Sequence, residues 1–226
     1  MNWNIKEIDQ ITFEITYYFL IFACILSFIS IFIVKNSKMR IILGIEVIIT
    51  GFAGFIYYNI LKNVMNKYKE SNSNIKLSGR LDEIDVLRYA DWPITTPLML
   101  ISLSLILSFN SGIKHSIIGT IVIVILDWIM LYFGYLGYQK ILDKRIANIL
   151  GFIPFVLIFI ILYMIYIKPK NIFINNLLFI SYFIIWALYG IFYLVDEKIM
   201  NILYNILCLI AKPFIAICIA IDFLAT

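Results

Sequence analysis

Seven stretches of this chain are long and apolar enough to cross a bilayer, and polar breaks separate them. They run near Ile11–Val34, Ile41–Lys62, Asp85–Phe109, Ser116–Tyr138, Ala147–Ile167, Ile172–Val195 and Ile199–Phe223. A hydrocarbon core about 30 Å thick takes roughly 20 residues of helix to span. The chain is 63% hydrophobic and 14% charged, whereas soluble domains are about a quarter charged. This pattern predicts an all-α membrane protein, a bundle of seven transmembrane helices, and excludes a globular enzyme. Five of the six connections are short, as suits antiparallel neighbours. The exception is residues 63–84, read as a polar extracellular loop with a small hairpin around Ser78-Gly79. The first ten residues are polar and mixed in charge, and the first apolar run is too long for a cleavable signal core. Residues 1–226 are therefore expected to form a single domain, with no attached enzymatic or signalling module.

Charge placement predicts orientation. The loops after spans one, three and five hold Lys35, Lys38, Arg40, Lys114, Lys168 and Lys170 without an acid, and the opposite side mixes signs. Positive loops stay inside, so the N-terminus is expected outside. The net charge of +4 resides in loops and does not point to nucleic acid. Cys24, Cys208 and Cys218 all fall within spans, so no disulfide framework is implied. His115, the only histidine, is expected to be a solvated loop residue, and no metal site is expected.

Lys212 stands alone in the middle of the last span, in Leu-Ile-Ala-Lys-Pro-Phe. A charge at mid-membrane costs about 2.5–3.5 kcal/mol on insertion scales, so such residues are usually functional. Span three carries the matching acid, in Arg88-Tyr89-Ala90-Asp91-Trp92. With Asp91 at 0° on a helix, Thr95 falls at about 40°, Ser102 at about 20° and Arg88 at about 60°. That narrow polar stripe should face the bundle interior. Asn205 and Cys208 lie seven and four residues before Lys212 and share its face. Two further membrane acids are candidates for an ion pathway. Glu46 lies in the first turns of span two, where the alternative is an acid snorkelling at the membrane edge. Glu14 lies near the outer end of span one.

The run Arg88-Tyr-Ala-Asp91-Trp92-x-x-Thr95-Thr96-Pro-Leu resembles the third-helix signature of microbial rhodopsins. Ala211-Lys212 resembles the other half, near the middle of helix seven. Asp127-Trp-Ile-Met130 with Gly134, and Tyr182-x-x-x-Trp186, are similar to further motifs of that family. The resemblance covers all seven helices. It implies that Lys212 carries all-trans retinal as a Schiff base and that Asp91 is counterion and first proton acceptor. Trp92, Thr96, Met99, Met130, Gly134, Phe179, Tyr182, Trp186, Cys208 and Ala211 would lie about the chromophore. Phe179 stands where the family usually has tryptophan, and Phe183 where it often has proline. Cys208 replaces a second aspartate common in the family, which leaves Asp91 as the one obvious carboxylate beside the amine.

Asp91, Thr95 and Ser102 together resemble the Asp-Thr-Ser rhodopsins of giant viruses. Outward proton pumps usually have a carboxylate where this chain has Ser102. That departure, with polar Glu46, Ser102 and Asn205, favours a light-gated cation channel. An outward proton pump, with Glu46 as donor, and a sensory photoreceptor are the alternatives. Thr96 and Asp127 would face each other, in a contact that governs photocycle speed in related channels. The implied partners are the lipid bilayer, transported cations or protons, and further copies of the chain. The expected location is a membrane, a host-cell membrane if the source is viral.

Overall fold

The computed structural model describes residues 5–65 and 74–225. Helix α1 spans Ile5–Ile33 and α2 spans Ser37–Asn59, continued by a π-helical turn at Ile60–Met65. Next come α3 (Asn74–Ser111), α4 (Ile117–Tyr138) and α5 (Lys144–Leu162), the last extended by a π-helical turn at Tyr163–Ile167. Helix α6 spans Phe173–Phe192. The last span is α7 (Glu197–Leu209), a π-helical turn (Ile210–Phe214) and α8 (Ile215–Ala225). Among the described residues, seven helical stretches, from Ile8–Ile33 to Glu197–Ala225, are long and apolar enough to cross a membrane. Large apolar side chains such as Phe32, Ile118 and Phe173 lie exposed. That pattern is expected where the surrounding solvent is lipid tails.

The polar breaks start helices. The first N–H groups of a helix lack intrahelical partners, and short polar side chains satisfy them. Asn36 accepts from the Lys38 N–H, Ser116 from Gly119, Asp143 from Arg145 and Ile146, and Asp196 from Lys198. Asp143 and Asp196 are thus caps as well as loop charges.

The largest departure from the sequence reading is the start of span three. Ser78-Gly79 lie within helix α3, which begins at Asn74, so there is no hairpin there. Residues 66–73 of the expected 63–84 loop lie outside the described residues. The cause is amphipathicity. Leu81, Ile84, Arg88, Asp91 and Thr95 are all buried, at spacings of three and four. Asp82 and Val86, between them, are exposed. Charges that read as a loop are the outer face of a helix.

The chain divides into two compact units, Met1–Thr95 with Val195–Thr226, and Thr96–Leu194. The first unit packs Phe13, Leu20, Ala53, Ile56, Tyr57, Ile60, Ile84 and Cys208 into one apolar cluster. The second unit is knit by aromatic rings. Phe155 stacks on Phe183 at 5.3 Å, and Phe159 meets Phe179, Phe183 and Trp186 at 5.5, 5.2 and 6.4 Å between ring centroids. Gly137 lets helices approach there, because a Cβ would stand 2.6 Å from the Ala147 Cβ and 2.2 Å from the Tyr193 hydroxyl.

Candidate functional site: a buried amine and its carboxylate

The π-helical turn Ile210–Phe214 sets Lys212 in place. Pro213 has no N–H to give the carbonyl one turn back, so the helix opens there into a wider turn. Lys212 is 3% exposed. Its Nζ donates to Asp91 Oδ2 in a buried ion pair and to Thr95 Oγ1 at 2.9 Å. Thr95 Oγ1 donates in turn to the Asp91 backbone carbonyl at 3.1 Å. The helical stripe thus brings Asp91 and Thr95 to Lys212. Asp91 Oδ1 is buried without a hydrogen-bond partner. Cys208 and Ala211 are buried beside them on the same span.

Arg88 does not sit as a simple partner of Asp91. Its Nη1 pairs with Asp85 at 3.3 Å, and its Nη2 donates to the Asn201 carbonyl at 3.2 Å and to Asn205 Oδ1 at 2.9 Å. The guanidinium lies against the Phe13 and Tyr204 rings, at 5.6 and 5.4 Å. Asn205 is fully engaged. Its Oδ1 also accepts from the Tyr57 hydroxyl at 3.2 Å, its Nδ2 donates to Thr12 Oγ1 at 3.1 Å, and its carbonyl accepts from Thr16 at 3.2 Å. Trp92 packs edge-on to Tyr204 at 5.6 Å.

Glu46 is 2% exposed, so it is a buried acid of the first unit and not a snorkelling one. Glu14 is half-buried and accepts from Gln10 at 2.8 Å. In the second unit Thr96 Oγ1 donates to Asp127 Oδ2 at 2.7 Å, the contact the resemblance implied. Asp127 Oδ1 is buried and unsatisfied. Ser102, Met99, Tyr182 and Trp186 are buried in that unit, whereas Met130, Gly134 and Phe179 are half-buried. The Gly134 carbonyl accepts from Tyr193 at 3.0 Å.

Asp9, Asn201, Tyr57 and Asp85 escaped the sequence reading. One signal was there for Asn201: positions 201, 205, 208 and 212 are spaced four, three and four apart and share a helix face. Asp9 passed as a terminal surface charge, yet it is 2% exposed.

These features define a class: a seven-helix, multi-pass integral membrane protein that keeps an amine on its last span ion-paired to a carboxylate on its third. The chain belongs to the bacteriorhodopsin-like protein family, matched over residues 7–221. It is 32% identical to viral rhodopsin OLPVRII, with a TM-score of 0.84 over 95% of this chain and 97% of that one. It shares its fold with a blue light-absorbing proteorhodopsin from Med12, at 23% identity and TM-score 0.71 over 95% of each chain. Xanthorhodopsin, described as a light-driven ion pump with dual chromophore, is 20% identical with TM-score 0.78, over 98% of this chain and 94% of that one. No curated protein matches the sequence.

Family membership implies a retinal chromophore. The residues present fit that group. Retinal needs one primary amine to condense with, and Lys212 Nζ stands where the Schiff-base nitrogen would be. A buried cation needs an anion, which Asp91 provides. The unfilled lone pairs of Asp91 Oδ1 leave capacity for a further donor.

Proposed function

We propose that the protein is a light-driven proton transporter, moving protons outward with all-trans retinal on Lys212. Retinal, once linked to Nζ, supplies light absorption and a change of shape. Lys212 Nζ carries the proton. Asp91 Oδ2 stands in ion-pair contact to receive it, and Thr95 Oγ1 orients Nζ toward that carboxylate. A proton passing from Nζ to Asp91 removes both charges of a buried pair, so it meets little electrostatic cost once the geometry changes. Buried Glu46 is the candidate donor that returns a proton to Nζ. The positive loops set the direction, with the N-terminal side outside.

The observation that carries this reading is the state of Asn205. As a cation ligand it would need a free oxygen lone pair. Its Oδ1 instead accepts from both Arg88 and Tyr57, and a guanidinium 2.9 Å away repels a passing cation. Protons pass such a barrier by transfer between groups. A light-gated cation channel is the second reading, favoured by the buried oxygens of Glu46 and Ser102.

Cells making the protein with retinal, held in unbuffered medium, should acidify that medium under light. A protonophore should abolish the signal. A light-induced pH change that a protonophore enhances, and that follows the sodium or potassium gradient, would favour the channel instead.

A further inference from the structure

Cys208 lies among the charges around Lys212 and carries none itself. It stands one turn before Lys212 on the same helix face and is 5% exposed. Lys212, Asp91 and Arg88 all lie within electrostatic reach of its thiol. Its packing is apolar, in the cluster that holds Phe13, Leu20, Ile56 and Ile84. The Tyr57 hydroxyl hydrogen-bonds with Cys208. Tyr57 has one proton and gives it to Asn205 Oδ1, so the thiol is the donor in its bond with Tyr57. Asn205 in turn belongs to a ring of hydrogen bonds with Arg88, Asn201, Asp9 and Thr12. Asp91 Oδ1 is left without a donor, so the thiol proton is not turned toward that carboxylate.

The charges about Nζ restrict the order in which protons can move. In the ion-paired state Lys212 balances Asp91, and Arg88 pairs with Asp85. Passing the proton from Nζ to Asp91 leaves both groups neutral. A proton returned to Nζ at that point would make a buried cation with no anion in contact, and a guanidinium of the same sign close by. Cys208 offers only a neutral thiol, and the Thr95 hydroxyl proton is held by the Asp91 carbonyl. An Asp91 anion beside neutral Nζ, by contrast, keeps the attraction of Arg88 one turn away on α3. We infer that neutral Cys208 imposes an interlock: Nζ regains its proton only after Asp91 has given its own away. This rests on the proton-transport reading above.

In this order the proton leaves the Asp91 carboxyl for water on the N-terminal side, forming a hydronium ion and restoring the carboxylate. Glu46 then gives its carboxyl proton to Nζ, and water on the C-terminal side refills Glu46. One proton leaves for each proton taken up. A carboxylate at position 208 would supply a standing anion and let Nζ refill first. The remaining ionisable groups on the elements of this unit are Asp9 and Glu14 on α1, Asp82 and Glu83 on α3, Glu197 and Tyr204 on α7, and Asp222 on α8. Asp9 is bonded to Asn201 and Glu14 to Gln10, whereas Nζ bonds to Asp91 and Thr95.

The test follows two protons after a flash, in the full chain with retinal in lipid vesicles. The visible band fades while Nζ lacks its proton and returns with it. The infrared C=O band of protonated Asp91, identified by its shift in Asp91→Glu, reads the other proton. In the parent the return of colour and the loss of that C=O band should share one time constant. In Cys208→Asp the colour should return first, with the Asp91 band outliving it several-fold. Cys208→Asn, of similar shape but uncharged, should keep the shared time constant. Colour that returns in the parent while the Asp91 band persists overturns the interlock. So does a Cys208→Asp pigment whose two signals stay together, or a Cys208→Asn pigment whose signals separate. If Cys208→Asp yields no pigment, the parent and Cys208→Asn carry the test. A parent whose Asp91 gains the C=O band while no net proton crosses the vesicle wall, read with a pH-indicator dye, overturns the transport reading instead.

Discussion

The two compact units solve the problem of a membrane interior in opposite ways. The first buries Asp9, Glu46, Arg88, Asp91 and Lys212. The second, among its described residues, buries a single ionisable acid, Asp127, and fills its interior with Phe155, Phe159, Tyr182 and Trp186. Each charge of the first unit is costly in hydrocarbon unless matched, and the ion pair and the Arg88 ring do the matching. The rings of the second unit need only shape and contact. The contrast separates chemistry from packing. Substitutions of the buried charges in the first unit should change what light does, and substitutions in the Phe155–Phe159–Phe183 cluster of the second should change how firmly the protein holds together.

The sharpest break is Lys212→Ala. With all-trans retinal added, this variant should make protein but no visible absorption band. A coloured, borohydride-reducible pigment in its place would put the chromophore elsewhere. Asp91→Asn comes next. It leaves the Nζ cation without its carboxylate, so absorption should move strongly to the red, or the nitrogen should lose its proton at lower pH. Proton transport should cease in either case. Spectra and their pH dependence matching the parent would assign the counterion role to another acid.

Phe159→Ala tests the other side of the contrast. It removes a buried ring in contact with Phe155, Phe179, Phe183 and Trp186. Large-to-small changes at such sites cost about 3–5 kcal/mol. Unfolding in mixed micelles should register that loss while the colour persists. An unchanged unfolding curve would show that the rings are not the glue of that unit.

The smallest effect concerns His115, in the turn between α3 and α4. Its Nε2 lies 2.9 Å from Thr120 Oγ1, and burial pushes its pKa below the ordinary value. The unfolded chain therefore binds a proton there before the folded one does. As pH falls through about 6.5, folding stability should decline slightly. His115→Gln should flatten that decline in the thermal half-life of the pigment. An equal decline in both proteins would exclude His115 as its source.

Much of this was legible from spacing alone. The apolar runs mark the spans because a bilayer has one thickness. Asp91, Thr95 and Lys212 were legible because helical periodicity puts them on one face and lipid punishes isolated charge. Two things were hidden. The early start of α3 was masked by Asp82 and Glu83, whose charges read as loop until Leu81 and Ile84 are seen buried beneath them. The Asp9–Asn201 bond joins positions 192 residues apart, and no local pattern encodes such a pairing. Asn205 was legible as an interior residue, but its partners were not. Those partners move the reading from cation ligand to a member of the Arg88 ring.

In the proposed cycle light drives protons through the Lys212–Asp91 pair past a barrier closed to larger cations. The most direct measurement is the photocurrent of the parent protein under voltage clamp, first with equal solutions on both sides and then with a sodium or potassium gradient imposed. Outward current is expected at zero driving force, and it should persist unchanged when either gradient is imposed. A current that vanishes there and reverses with either gradient would contradict the proposed cycle.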